Sequence, residues 1–192
     1  MGRVLDHAER DRAVIDATWQ LLARDGLGGL SVRKVAAEAG LPPSSLRYTF
    51  PTIAALRERA ARLVVERMLS RVEAVEGAGL ERALALVLEL VPLDEVRRVE
   101  MEAFLALGSA AGLDPLLEQC YREAHIAIRG VCADALRALD PRRGPGEEDV
   151  QLASLHALVD GVSLHLVRQP PSGQTAWART ILEGYLRGCE PR

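Results

Sequence analysis

Apolar residues along this chain recur three and four positions apart, and the breaks between runs carry glycine, proline or a capping side chain. Val14, Ile15, Ala17, Leu21 and Leu22 predict a helix over residues 8–25 that stops at Gly26, with Trp19 packed against its neighbours. Leu27-Gly28-Gly29-Leu30 is a tight connector. Ser31 is placed to cap a second helix, in which Val32, Val35, Ala36 and Ala39 share one face while Arg33 and Lys34 fall off it. Gly40 follows the last turn, where a positive φ is wanted, and Leu41 packs back under the corner. Pro43 then takes the first position of a short third helix with Leu46 and Phe50 as its buried ridge.

Pro51-Thr52 opens a long helix to about residue 75, with Leu56, Ala60, Leu63, Val64, Met68 and Val72 on its inner stripe. Residues 80–91 are apolar nearly all round, which means burial, and they stop at Pro92. Asp94 caps a helix to Gly112, and Asp114-Pro115 starts another to Leu139, followed by a solvated loop at 140–146. Two helices remain, Glu147–Val167 and Thr175–Arg187, divided by Arg168-Gln169-Pro170-Pro171-Ser172-Gly173. Leu155, Val159, Val162 and Leu166 form a seam on the first, and Ile181, Leu182 and Tyr185 one on the second; such a seam is either core or a partner surface. The predicted fold is all-α, about nine helices. A three-helix domain at 1–51 is followed by a helical domain at 52–192.

Residues 31–50 read as a helix-turn-helix. The outer face of its second helix holds Ser44, Ser45, Arg47, Tyr48 and Thr49, hydroxyl, guanidinium and phenol groups that reach phosphates and base edges when a helix enters the major groove. No acid occurs from 39 through 57, as a phosphate lattice requires. Charge follows the same division: residues 1–62 hold ten Lys/Arg against seven Asp/Glu, net +3, which leaves −6 for the rest of a chain whose total is −3.

The order Ala36-Ala37-Glu38-Ala39-Gly40-Leu41, then Ser45-Leu46-Arg47-Tyr48-Thr49-Phe50-Pro51-Thr52, resembles the DNA-binding domain of the TetR family of bacterial regulators. The Leu-Arg-Tyr-x-Phe form is similar to the betaine-regulator branch. Segments around Glu102–Ala106, Asp114–Leu117 and Tyr121-Arg122 resemble its C-terminal body more loosely. Pro42 stands where the family often has a capping serine, and Ile53 where it commonly has lysine. The resemblance implies a homodimer bound to a double-stranded DNA operator and responsive to a small-molecule effector, in most members a repressor. On such a dimer Arg47, Ser45 and Tyr48 are expected to contact bases or phosphates and Arg33, Lys34 and Thr52 to hold the DNA backbone, with Ser31, Ser44 and Thr49 completing the DNA-binding set. The resemblance also places the final two helices, including Leu155, Val159, Val162, Leu166, Ile181, Leu182 and Tyr185, at a four-helix dimer interface, and makes the long helix at 52–75 the carrier of movement to the recognition helix.

The 192 residues are 48% apolar but only 4% aromatic, which favours helices packed on helices and leaves no stacked-ring cage for a quaternary ammonium. No apolar run approaches the ~20 residues of a membrane span, and the N-terminus lacks the apolar core of a signal peptide, so a cytoplasmic protein without a membrane partner is expected. Cys120, Cys132 and Cys189 show no metal spacing and are expected as buried, reduced thiols. His7, His125, His156 and His165 form no recognisable metal-ligand motif, and no phosphate cradle or nucleophile elbow occurs; neither enzyme activity nor a cofactor or metal is expected. His125, His165 and Asp160 lie on otherwise apolar helices, where a polar group is satisfied by a neighbour, faces solvent or orients a ligand. Met101, Phe104, Leu105, Tyr121 and His125 have the mixed character of an effector site. The competing reading is a helical small-molecule-binding or enzyme domain whose helix-turn-helix shape is not used on DNA. The acid-free outer face at 44–49 favours the regulator.

Overall fold

The structure is a computed structural model that describes residues 7–112, 114–144, 150–170 and 173–191. Among the described residues there are nine α-helices, one 3-10 turn at Leu27–Gly29 and no strand. The helices are α1 (His7–Asp25), α2 (Val32–Glu38), α3 (Pro43–Thr49), α4 (Ile53–Glu73), α5 (Gly79–Leu88), α6 (Glu95–Ala111), α7 (Pro115–Leu139), α8 (Val150–Arg168) and α9 (Ala176–Gly188). The all-α expectation holds. The helix expected from Glu147 begins at Val150 among described residues, and 147–149 lie outside them, as do residues 1–6 of the N-terminus and 171–172 of the last connector. α5 is shorter than the apolar run through Val91: its ladder ends at Leu88, and Leu90 donates only to Val87 O (3.1 Å) as the chain tightens before Pro92. Those last apolar residues are buried all the same.

Two compact units divide the chain: residues up to 64 with 102–121, and 65–101 with those from 122 onward. α4, α6 and α7 each contribute residues to both. In the first unit α1 packs on α2 and α2 on α3 around Leu21, Val35, Ala36, Leu46 and Leu56. Ser31 Oγ accepts from Lys34 N–H (3.2 Å) and caps α2. At the far end Gly40 has φ +66°, Leu41 N–H donates to Ala36 O (2.8 Å) and Gly40 N–H to Ala37 O (3.2 Å). This paired-bond ending needs a left-handed residue, and glycine takes that conformation without a Cβ clash. It turns the chain so that α3 starts at Pro43, where proline's missing N–H costs nothing. Also in this unit, Phe104 stacks on Tyr121 with ring centroids 5.2 Å apart, and a Cβ at Gly108 would stand 2.9 Å from Tyr121 Cε2.

In the second unit α9 packs on α5 and α8, around Leu86, Val87, Leu155, Leu182 and Leu186. Arg71 is its main polar junction. The guanidinium donates twice to Glu100 (2.8 and 2.5 Å) and once to Glu89 (2.8 Å), and Arg97 joins Glu89 (3.3 Å) to Asp94 (2.7 Å). Glu100 is buried, and its bidentate pairing holds the Arg71 guanidinium well above its ordinary pKa despite partial burial. Arg98 donates to Leu166 O (3.2 Å) and Gln169 O (3.0 Å), satisfying carbonyls at the end of α8.

The seam of the last two helices requires a correction. Leu155, Val159, Val162, Leu166 and Leu182 are all buried inside this one chain, so they form its own core and have no surface to offer a partner. Ile181 is exposed at 44%, and Tyr185 is half-buried with its hydroxyl donating to Gln151 O (2.9 Å). α8 is the one described helix long and apolar enough to cross a membrane by length and composition. Its apolar character has another source: one face lines the core, and the other carries Val150, Ala153 and Ala157 outward.

Candidate functional site

The turn at Gly40 sets α3 against α2 with Leu46 and Phe50 inward, so the remaining α3 side chains face out. Ser44, Arg47 and Thr49 are exposed, and Tyr48 is 94% exposed. A phenol left almost wholly in water by a chain with so few aromatics is not explained by packing. Arg47 and, on α2, Arg33 are exposed and make no ion pair with another described residue. Lys34 differs: its Nζ is 2.8 Å from Asp25 Oδ2, and that hydrogen bond, with another from Arg24, holds the Asp25 carboxyl below its ordinary range. Ser45 departs from the expected outward placement. It is half-buried, and Arg10 of α1 donates to its Oγ (2.8 Å) and to its carbonyl (3.1 Å). Its hydroxyl proton remains available to an acceptor. Arg10 was not legible as part of this surface, because only the fold brings residue 10 to residue 45.

Thr52 is exposed, and its Oγ1 accepts from Ala55 N–H (3.1 Å), so it caps α4 with its own hydroxyl proton free to point outward. Pro42, at the start of α3, offers no side-chain cap, and Ile53 is exposed at 42%. Together, α2 and α3 present two arginines with no ion pair among the described residues, a phenol and several hydroxyls, without an acid on α3. That arrangement suits phosphate oxygens and base edges.

The effector-side residues fall differently. Phe104 and Tyr121 are stacked on each other in the first unit, and Leu105 is half-buried there. Met101 is half-buried in the second unit, where His165 is exposed on the last turn of α8 and so faces solvent. His125 and Asp160 do meet, across α7 and α8, with His125 Nε2 3.9 Å from Asp160 Oδ2. His156 of α8 joins them. It is 7% exposed, its ring meets that of His125 edge-on at 4.4 Å, its Nε2 is also 3.9 Å from Asp160 Oδ2, and that nitrogen has no hydrogen-bond partner. Burial pushes its pKa below the ordinary imidazole value; Asp160 opposes this, while His125 and Arg129 add to it. The signal was the spacing His156–Asp160, four residues on one helix. On α7, Cys132 is fully buried, and desolvation with the nearby Asp160 charge pushes its thiol up to about 12, which makes it inert. Cys120 is buried too, whereas Cys189 is half-buried.

A helix-turn-helix with an exposed cationic face, joined to a larger helical body, defines a DNA-binding transcriptional regulator. Comparison with known proteins makes this specific. Residues 14–60 match the family described as bacterial regulatory proteins, tetR family, and residues 79–189, more than half of the chain, match the BetI-type transcriptional repressor C-terminal family. The HTH-type transcriptional regulator PksA of Bacillus subtilis (strain 168) is 30% identical over 176 residues, which cover 88% of this chain and 84% of that protein. The structure of a transcriptional regulator from Rhodococcus sp. Rha1 matches with a TM-score of 0.77 at 27% identity, covering 93% of this chain and 94% of that one. The multidrug binding protein EbrR, complexed with imidazole, matches with a TM-score of 0.65 at 26% identity, covering 95% and 96%. The chain therefore belongs to the TetR family: it is a DNA-binding transcriptional regulator whose C-terminal region is of the BetI repressor type.

Proposed function

We propose that the chain is a cytoplasmic homodimer that represses by placing two copies of α3 in successive major grooves, and that a small molecule bound to its C-terminal helices releases it. The observation that carries this reading is the outer face of α3, where Arg47 and the 94%-exposed Tyr48 stand with hydroxyl residues and no acid. Arg47, Tyr48, Ser44 and Thr49 contact bases or phosphates, with the Ser45 hydroxyl held in place by Arg10. Arg33, Lys34, Ser31 and Thr52 hold the DNA backbone. Residues 1–51 do the reading and 52–192 the sensing and pairing.

Because the buried seam of α8 and α9 is taken up inside the chain, the pairing surface is their outer face. Val150 (76% exposed), Ala153, Ala157 and Ile181 lie there, small or apolar residues that let helices approach closely. The stacked Phe104 and Tyr121 supply an apolar wall for an effector. Effector binding acts through α4, whose residues belong to both units, by a coupling of about 1–3 kcal/mol. EbrR's imidazole complex supports the sensing part of this reading by its likeness in fold.

The test is titration of the full chain against a labelled duplex from directly upstream of its own gene, at two salt concentrations, beside a scrambled duplex. Tight, salt-sensitive binding that prefers the true sequence and is lost in Arg47→Ala is the expected result. Equal binding by wild type and Arg47→Ala overturns the groove assignment. Ala157→Arg is expected to give monomers in sedimentation; an unchanged dimer overturns the pairing surface.

A further inference from the structure

We propose that His125 of α7 and His156 and Asp160 of α8 form a binding site for one divalent transition-metal ion, zinc by preference, that clips these two helices together. The donor atoms of the three side chains lie within 4.8 Å of one another. His156 and Asp160 are one helical turn apart, so both side chains leave the same face of α8, and His125 meets them from α7. The decisive observation is His156 Nε2, a buried ring nitrogen without a hydrogen-bond partner. A buried polar atom left in that state costs free energy, and a metal ion satisfies the lone pair of a neutral imidazole at full strength.

The geometry fits after small side-chain motion. With metal–nitrogen bonds of ~2.0–2.1 Å, donors around a tetrahedral ion stand about 3.3 Å apart. Each Nε2 is 3.9 Å from Asp160 Oδ2 here, so the site closes by a small shift of His125 and Asp160, whose side chains are 39% and 42% exposed. Two imidazoles and one carboxylate leave a fourth position for water or for a donor atom on another molecule, as open zinc sites do. The set suits zinc, nickel or cobalt and not calcium or magnesium, which require oxygen ligands. Arg129, one turn past His125 on α7, adds positive charge felt at both His156 and Cys132 and works against the ion; the Asp160 carboxylate supplies the opposing charge. Metal binding here does not depend on the DNA reading, and its readout is separate.

The test uses the full-length chain, free of any affinity tag and stripped with a chelator, titrated with Co2+ and followed by its visible absorption, then with Zn2+ against a competing chelator. Saturation at one ion per chain is expected, with zinc displacing cobalt. His125→Ala and Asp160→Asn, at partly exposed positions that leave the core intact, are expected to weaken binding by about 10–100-fold or more, at least the loss that removal of an outer-shell partner causes. His156→Ala is expected to abolish it. Should that variant fail to fold by circular dichroism, the other two carry the test. His165→Ala is expected to bind as wild type. No saturable uptake, or unchanged affinity in both His125→Ala and Asp160→Asn, overturns the site; loss of binding in Cys132→Ser overturns the ligand assignment in favour of the thiol.

Discussion

Arg71 and Arg47 are the same side chain in opposite situations. Arg71 spends its donors inside the chain, on Glu100 and Glu89, and ties the C-terminal half of α4 to α6 and the residue that ends α5. Arg47 stands on the outside of α3 with no acid on that helix to meet it. A charge that the protein satisfies itself holds the body together, and one that no described residue pairs is left for a partner. Lys34 lies between the two, exposed yet engaged by Asp25.

Substitution separates these roles. Arg71→Met leaves Glu100 buried with an unmatched charge, and a loss of about 3–5 kcal/mol in unfolding free energy is expected from denaturant titration. Adding Glu100→Leu is expected to recover much of that loss, because the orphaned carboxylate goes too. A small effect of the single change breaks the contrast. Arg47→Ala is expected to shift stability by less than about 0.5 kcal/mol while removing about 1–3 kcal/mol of operator discrimination, read by titration against true and scrambled duplexes.

Gly40→Ala keeps every charge and disturbs only the angle at which α3 is presented. At φ +66° a Cβ costs about 1–2 kcal/mol of stability, and operator affinity is expected to fall with it. The smallest effect belongs to Lys34→Gln. Loss of one phosphate contact is expected to reduce the slope of log affinity against log salt by about 0.9 and to leave sequence preference unchanged. An unchanged slope means that Lys34 serves Asp25 alone.

Much of this was legible before the fold was known. Gly40, Ser31 and Pro43 fix the corner by local backbone chemistry, so the helix-turn-helix and the outward placement of Arg47 and Tyr48 follow from neighbouring residues. The seam of α8 was visible as a stripe, yet a stripe has no record of what covers it, and Leu155, Val159 and Val162 turned out to face the chain's own core. For a related reason nothing around His156 in the sequence marks it as unsatisfied: a histidine among apolar residues looks the same whether satisfied or not.

The amino-acid sequence by itself determined the helices, their order, the recognition corner and the family, because caps, turns and helical periodicity act over a few residues. Only the tertiary structure decided which polar groups meet. It brought Arg10 to Ser45, Arg71 to Glu100 and His125 to His156 and Asp160, over separations of 35, 29 and 31 to 35 residues. Such pairings depend on the packing of whole helices and have no local signature, and they are where the charges of this protein acquire their roles.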